Sequence, residues 1–141
     1  MAEKKLQISI ESFSYRNGLP KAKNQHGGGF VFDCRAIKNP GREERYKQLT
    51  GRDREVVEYL EANPDVAEFG SSIVRLVDLS VRNYLLKGYT DLQISFGCTG
   101  GQHRSVYFAE LLARHLRQNP QVSLSLQHTN LGALGIGAVR K

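Results

Sequence analysis

Leu6, Ile8 and Ile10 alternate with Gln7, Ser9 and Glu11 in the stretch LQISIESF, the period of two that a half-buried strand imposes. FVFDC at 30–34 is instead continuously apolar up to Asp33, which predicts a strand buried on both faces. Between the two, NGLPKAKNQHGGG reads as a loop. A 3.6-residue period then takes over. DREVVEYLE predicts a short helix capped by Asp53 and ending at ANP, and Asn63 with Pro64 opens a longer one. In that helix Phe69, Ile73, Leu76, Val77, Ser80 and Tyr84 recur at spacings of three and four until Gly88 stops it.

DLQISFG at 91–97 returns to strand, and after the glycines Val106, Ala109, Leu112, Ala113 and Leu116 share one helix face that closes at Asn119 and Pro120. QVSLSLQH then alternates Val122, Leu124, Leu126 and His128. Strand, helix and strand from 91 to 128 make a βαβ unit, with a right-handed crossover expected. The fold class is therefore α/β: a single domain over residues 1–141, with a central mixed or mostly parallel sheet, flanking helices and a Gly-rich strand-loop-helix anion site. The tail, TNLGALGIGAVRK at 129–141, has spaced glycines and no clear period, and reads as flexible.

Composition narrows this only a little. A chain of 141 residues, 40% hydrophobic and 24% charged, suits one soluble domain. Apolar runs are a few residues long and Met1 is followed by AEKK, so no membrane span or export signal is expected, and the location expected is cytoplasmic. Cys34 and Cys98 make no disulfide framework and read as free thiols. A net charge of +6 favours polyanionic partners. The charge concentrates in an exposed loop over 35–54, where Arg35, Lys38, Arg42, Arg45, Lys47, Arg52 and Arg54 face only Glu43, Glu44 and Asp53.

GCTGGQHRS at 97–105 carries the chemistry, because in α/β sheets ligands bind beyond the carboxyl ends of the strands. Gly97, Gly100 and Gly101 let backbone N–H groups approach a ligand, and the start of the next helix adds unpaired N–H groups and partial positive charge. Thr99 and Ser105 offer hydroxyls, and Arg104 a planar fork suited to two phosphate oxygens. An anion, and specifically a phosphate, is the expected occupant. Cys98, five residues, Arg104 and Ser105 also match the spacing of cysteine-dependent phosphatases. There Cys98 would attack phosphorus, Arg104 would hold the equatorial oxygens and Asp33 would protonate the leaving oxygen. From the residues alone, holding a phosphate and attacking one both stay open.

Four segments, SFSYRNGLP, FVFDCRAIKNPG, LTGRD and GCTGGQHRSVYFAELLA, resemble in the same order the C-terminal domain of the RNase adapter family RapZ, over roughly residues 8–131. The resemblance implies a noncatalytic sensor, with no cofactor and no metal, that binds an amino sugar phosphate such as glucosamine 6-phosphate and presents RNA to a ribonuclease. It implies a ligand pocket at Asp33, Cys98, Thr99, Gly100, Gly101, His103 and Arg104, with Gln102, Ser105, Arg35 and Asn39 beside it. RNA would lie on Arg35, Lys38, Arg42, Arg45 and Lys47, and the domain would pair as a homodimer away from any membrane. Two features depart from the pattern: Gln102 stands where lysine is common, and the end of the chain is less basic. No G-x-x-x-x-G-K-S/T motif occurs, so nucleotide binding through the family's N-terminal domain is not expected of this stretch.

Overall fold

The computed structural model describes residues 5–134, in the order β1 (Leu6–Ser14), β2 (Phe30–Asp33), α1 (Arg54–Glu61), α2 (Pro64–Lys87), β3 (Asp91–Cys98), α3 (Arg104–Leu116), β4 (Val122–His128) and α4 (Thr129–Leu134). Short 3₁₀ turns at Tyr15–Asn17, Pro40–Arg42 and Glu44–Tyr46 follow the first two strands. The four strands form one sheet in the order β2-β3-β1-β4, and every pairing is parallel. The crossover from β3 through α3 to β4 thus passes over β1. Among the described residues no helix is long and apolar enough to cross a membrane.

Alternation along the strands sorts side chains onto two faces. Leu6, Ile8 and Ile10 of β1 share an apolar cluster with Leu92, Ile94 and Phe96 of β3 and with Leu112, Ala113 and Leu116 of α3. The register aligns them in rows: Ile8 pairs with Leu92 and Leu124, and Ile10 with Ile94 and Leu126. The intervening positions face a polar layer. There Gln93 accepts from Lys23 N–H and donates to the Lys21 carbonyl, and buried Glu11 takes bonds from Ser95 and Thr129 and an ion pair from Lys23. At the ends of β1 and β4, Ser12 Oγ lies 2.7 Å from His128 Nδ1 and His128 Nε2 lies 2.6 Å from Glu110 of α3.

Several expectations need correction. β2 is not buried on both faces. It is an edge strand, with Val31 46% exposed and Phe30 and Phe32 half-buried, because nothing pairs with its outer side among the described residues. Phe32 instead stacks on Phe96 of the adjacent β3, with ring centres 5.3 Å apart. The buried stripe of α2 is Val66, Gly70, Ile73, Val77 and Val81, whereas Leu76 is 46% exposed and Phe69 and Tyr84 only flank it. Both stripes satisfy the helical period, and packing against α3 selected the one containing Gly70. Asp53 holds the N-cap position of α1, but its carboxylate takes the Thr50 N–H at 2.7 Å rather than a helical amide.

The basic stretch is not a loose loop either. Ile37, Pro40, Tyr46, Thr50, Gly51 and Asp53 are buried within it. Gly51 approaches α3 so closely that a Cβ there would lie 2.2 Å from the His103 carbonyl. Of the tail, 129–134 docks as α4 against β1, since Asn130 finds polar partners there; the expectation of flexibility for 135–141 lies outside the described residues. The two α2 stripes make contrary predictions in a urea melt. Val66→Ala should cost about 2 kcal/mol through lost burial and the cavity left behind, while Leu76→Ala should stay within about 0.5 kcal/mol of the parent.

Candidate functional site

Because the strands are all parallel, their carboxyl ends Ser14, Asp33, Cys98 and His128 emerge along one edge of the sheet. A cleft of about 300 Å³ lies there, lined by Arg16, Asn39, Gly41, Lys47 and the loop residues Cys98, Thr99, Gly100, Gln102, His103 and Arg104. Three of these side chains are cations and none is a carboxylate. α3 starts at Arg104, and its N-cap residue His103 makes no side-chain cap bond; of the first-turn amides, Ser105 N–H is taken by Cys98 Sγ.

The loop is fixed from below. Ser14 Oγ donates to the Thr99 carbonyl at 2.6 Å, and Asn130 of α4 donates to the Gly100 carbonyl while accepting from Asn17. Gly101 has φ +64, and a Cβ on it would sit 2.8 Å from Ser14 N, so both its handedness and the space beneath it call for glycine. The loop and the helix start in turn hold the basic segment. Gln102 Nε2 donates to the Lys47 and Leu49 carbonyls, each at 2.7 Å, and the Gln102 carbonyl accepts from Gly51 N–H. Arg104 is 5% exposed, and its Nη1 donates to the carbonyls of Arg35 (3.0 Å) and Ile37 (2.8 Å). Its Nε is buried with no partner among the described residues. One arm of the fork therefore pins the turn after β2, and the guanidinium charge stays at the cleft.

His103 is also buried, and its Nε2 lies 2.8 Å from the Tyr46 carbonyl. A carbonyl can only accept, so a neutral ring carries its proton on Nε2 and leaves Nδ1 as an acceptor beside Gly41. Burial pushes the imidazole pKa down, against the upward pull of the Tyr46 and Leu49 carbonyls. Cys98 is 2% exposed; its Sγ lies 3.1 Å from Ser105 Oγ and accepts the Ser105 N–H at 3.4 Å. Cys34, whose N–H donates to the Gly97 carbonyl beside Cys98, has its thiol pKa pushed well up by burial. Both thiols are free.

The predicted residues thus divide. Cys98, Thr99, Gly100, Gln102, His103, Arg104 and Asn39 come together on the cleft; Gly101 and Ser105 support it from behind. Asp33 and Arg35 stand apart from the lining as a bidentate ion pair (2.9 and 2.8 Å), with the Arg35 guanidinium 3.8 Å over the Tyr15 ring. The Arg35 bonds, and more distantly Arg104, hold the Asp33 carboxyl below its ordinary value. Of the residues expected to meet RNA, Lys47 reaches the cleft, Arg45 pairs with Glu43, and Lys38 and Arg42 are exposed. Arg16 and Gly41 were missed. Arg16 lies two residues past the end of β1, a place that the carboxyl-edge rule alone would have flagged.

Comparison with known proteins follows the same residues. The family model for the RapZ C-terminal domain matches residues 6–132. A protein from Xanthomonas campestris pv. campestris (strain B100), named a nucleotide-binding protein, is 40% identical over 84% of this chain and 41% of its own length. Others so named, from Xylella fastidiosa (strain M23) and Dinoroseobacter shibae, are 38% and 42% identical over 90% and 95% of this chain. The chain spans about two fifths of the length of these curated relatives.

The buried imidazole makes stability depend on pH. The unfolded ring titrates near 6.5 and the folded ring lower, so the unfolded state binds more protons as pH falls through 6.5. The melting temperature should therefore decline from about pH 7 toward pH 5, and His103→Gln should flatten that decline when the two melting curves are compared across the range.

Proposed function

The chain belongs to the RapZ C-terminal domain family, and from that membership we propose that it is a noncatalytic sensor of a phosphorylated small molecule that also contacts RNA. The ligand class is an amino sugar phosphate, with glucosamine 6-phosphate as the first candidate. The observation that carries the reading is the lining of the edge cleft, where Arg16, Lys47 and Arg104 meet at the start of α3 with no carboxylate among the lining residues. Thr99 and the loop amides suit the phosphate, while His103 Nδ1 is an acceptor for a sugar hydroxyl or amine. Gly101, Ser105 and Gln102 serve by holding the loop, Asn39 lines the cleft beside Gly41, and Asp33 with Arg35 forms the rim. RNA would lie over Arg35, Lys38, Arg42, Arg45 and Lys47, delivered to a ribonuclease by a homodimer in the cytoplasm. Nucleotide binding, which names the longer relatives, is not part of the proposal.

A cysteine phosphatase remains the second reading, and the Cys98–Ser105 contact of 3.1 Å favours it, since a hydroxyl there steadies a thiolate. Against it stand the burial of Cys98 and the Asp33–Arg35 pair, which keeps the carboxyl ionised when a leaving-group acid is needed.

Titrating glucosamine 6-phosphate by calorimetry separates the two. Cys98→Ser should hold its affinity within roughly tenfold, or about 1.4 kcal/mol. Replacing Arg16 and Lys47 together by Ala should weaken binding by more than that, because two cations leave a phosphate site. No phosphate should be released by any of these proteins; steady release that vanishes in Cys98→Ser would establish the enzyme instead.

The RNA half has its own measurement. Binding of a structured RNA at low salt should weaken and lose salt dependence when Arg42 and Arg45 are both changed to Glu. Unchanged binding in that variant would remove the basic segment from the interface.

A further inference from the structure

A second cleft, of about 640 Å³, opens where the 38–46 segment meets α1. We infer that it takes an unpaired nucleobase of a single-stranded RNA segment whose phosphates run over the basic 35–54 stretch. The inference rests on the RNA half of the proposed function and adds to it a site that reads bases rather than charge.

Two tyrosines build the wall. Tyr46 and Tyr59 pack with ring centres 5.1 Å apart at a tilt of 57°, and the Arg45 guanidinium lies 4.7 Å over the Tyr46 ring. Arg45 is 70% exposed at its side chain, so the outer plane of this stack is open to solvent. Aromatic faces and guanidinium planes are the surfaces on which splayed RNA bases stack. Lys38 Nζ, 6.0 Å over the Tyr59 ring, sets a second cation at the rim for the flanking phosphate.

The cleft differs in kind from the anion cleft beside it. Glu55 and Glu58 face into it, so a bare phosphate meets repulsion there, whereas the exocyclic amino groups of a base meet acceptors. The Tyr59 hydroxyl is buried with no partner among the described residues, an unmet hydrogen bond in the wall itself. Cations at the rim, a stacking wall and carboxylate acceptors together fit a heteroaromatic ring attached to a phosphate chain.

The test compares two labelled RNA decamers by fluorescence anisotropy, one with all its bases and one abasic at every internal position, so that the phosphate count is equal. The protein should bind the base-bearing strand roughly tenfold more tightly, and Tyr59→Leu should erase that difference while leaving the salt dependence unchanged. Should Tyr59→Leu not fold, a strand carrying 5-iodouridine should photo-crosslink in the unaltered protein to Tyr59. Equal binding of the two strands with a normal salt slope, or crosslinks only elsewhere, would overturn the base cleft and leave the RNA reading standing. No binding of either strand at low salt would overturn the RNA reading itself and the cleft with it. Binding of a nucleoside monophosphate without binding of the strand would overturn the assignment in favour of a free nucleotide.

Discussion

One direction of travel governs this molecule. With all four strands parallel, every connection must return the chain to the opposite edge, and the carboxyl ends of β1, β2, β3 and β4 are left side by side. Whatever follows those ends is brought together whether or not it is close in sequence. The turn after β1 supplies Arg16, the segment after β2 supplies Asn39, Gly41 and Lys47, and the loop after β3 with the start of α3 supplies the rest of the cleft wall. The short helix after β4 supplies the asparagine that holds that loop in place.

The same edge has to satisfy its own polar groups, and the candidate ligand residues do much of that work. Gln102, His103 and Arg104 stand in a row at the start of α3, and each binds backbone carbonyls of the segment between Arg35 and Leu49. The basic segment is therefore held by the anion loop rather than draped over it. Tyr46 sits at the join: its carbonyl bonds His103, and its ring forms part of the neighbouring cleft. The two clefts thus meet at Tyr46.

Charge on this surface is less free than a count of lysines and arginines suggests. Arg35, Arg45 and Lys47 each have a carboxylate partner within two or three residues, and Arg35 and Arg45 also lie over tyrosine rings. Such exposed pairs contribute little to stability and exchange readily for a stronger anion. In the edge cleft, by contrast, Arg16, Lys47 and Arg104 meet with no carboxylate among the lining residues.

The alternation of β1, the Asn63-Pro64 start and Gly88 stop of α2, the apolar face of α3 and the glycine loop between β3 and α3 are all local signals, and the chain by itself determined them. Periodicity and capping act within one turn or one strand, so they are written in neighbouring residues. The ordered segments around GCTGGQHRS likewise fixed the family from the sequence alone. Only the tertiary structure decided that FVF is an edge strand with Val31 exposed, that α2 buries Val66 and Gly70 in place of Leu76, and that Asp33 turns to Arg35 instead of entering the cleft. It alone placed Arg16 on one cleft with Arg104, and gave Gln102 and one arm of Arg104 to carbonyls up to 69 residues away. Each of these outcomes depends on which surface arrives from a distant part of the chain, and a helix stripe or a guanidinium cannot announce its partner before the sheet has assembled it.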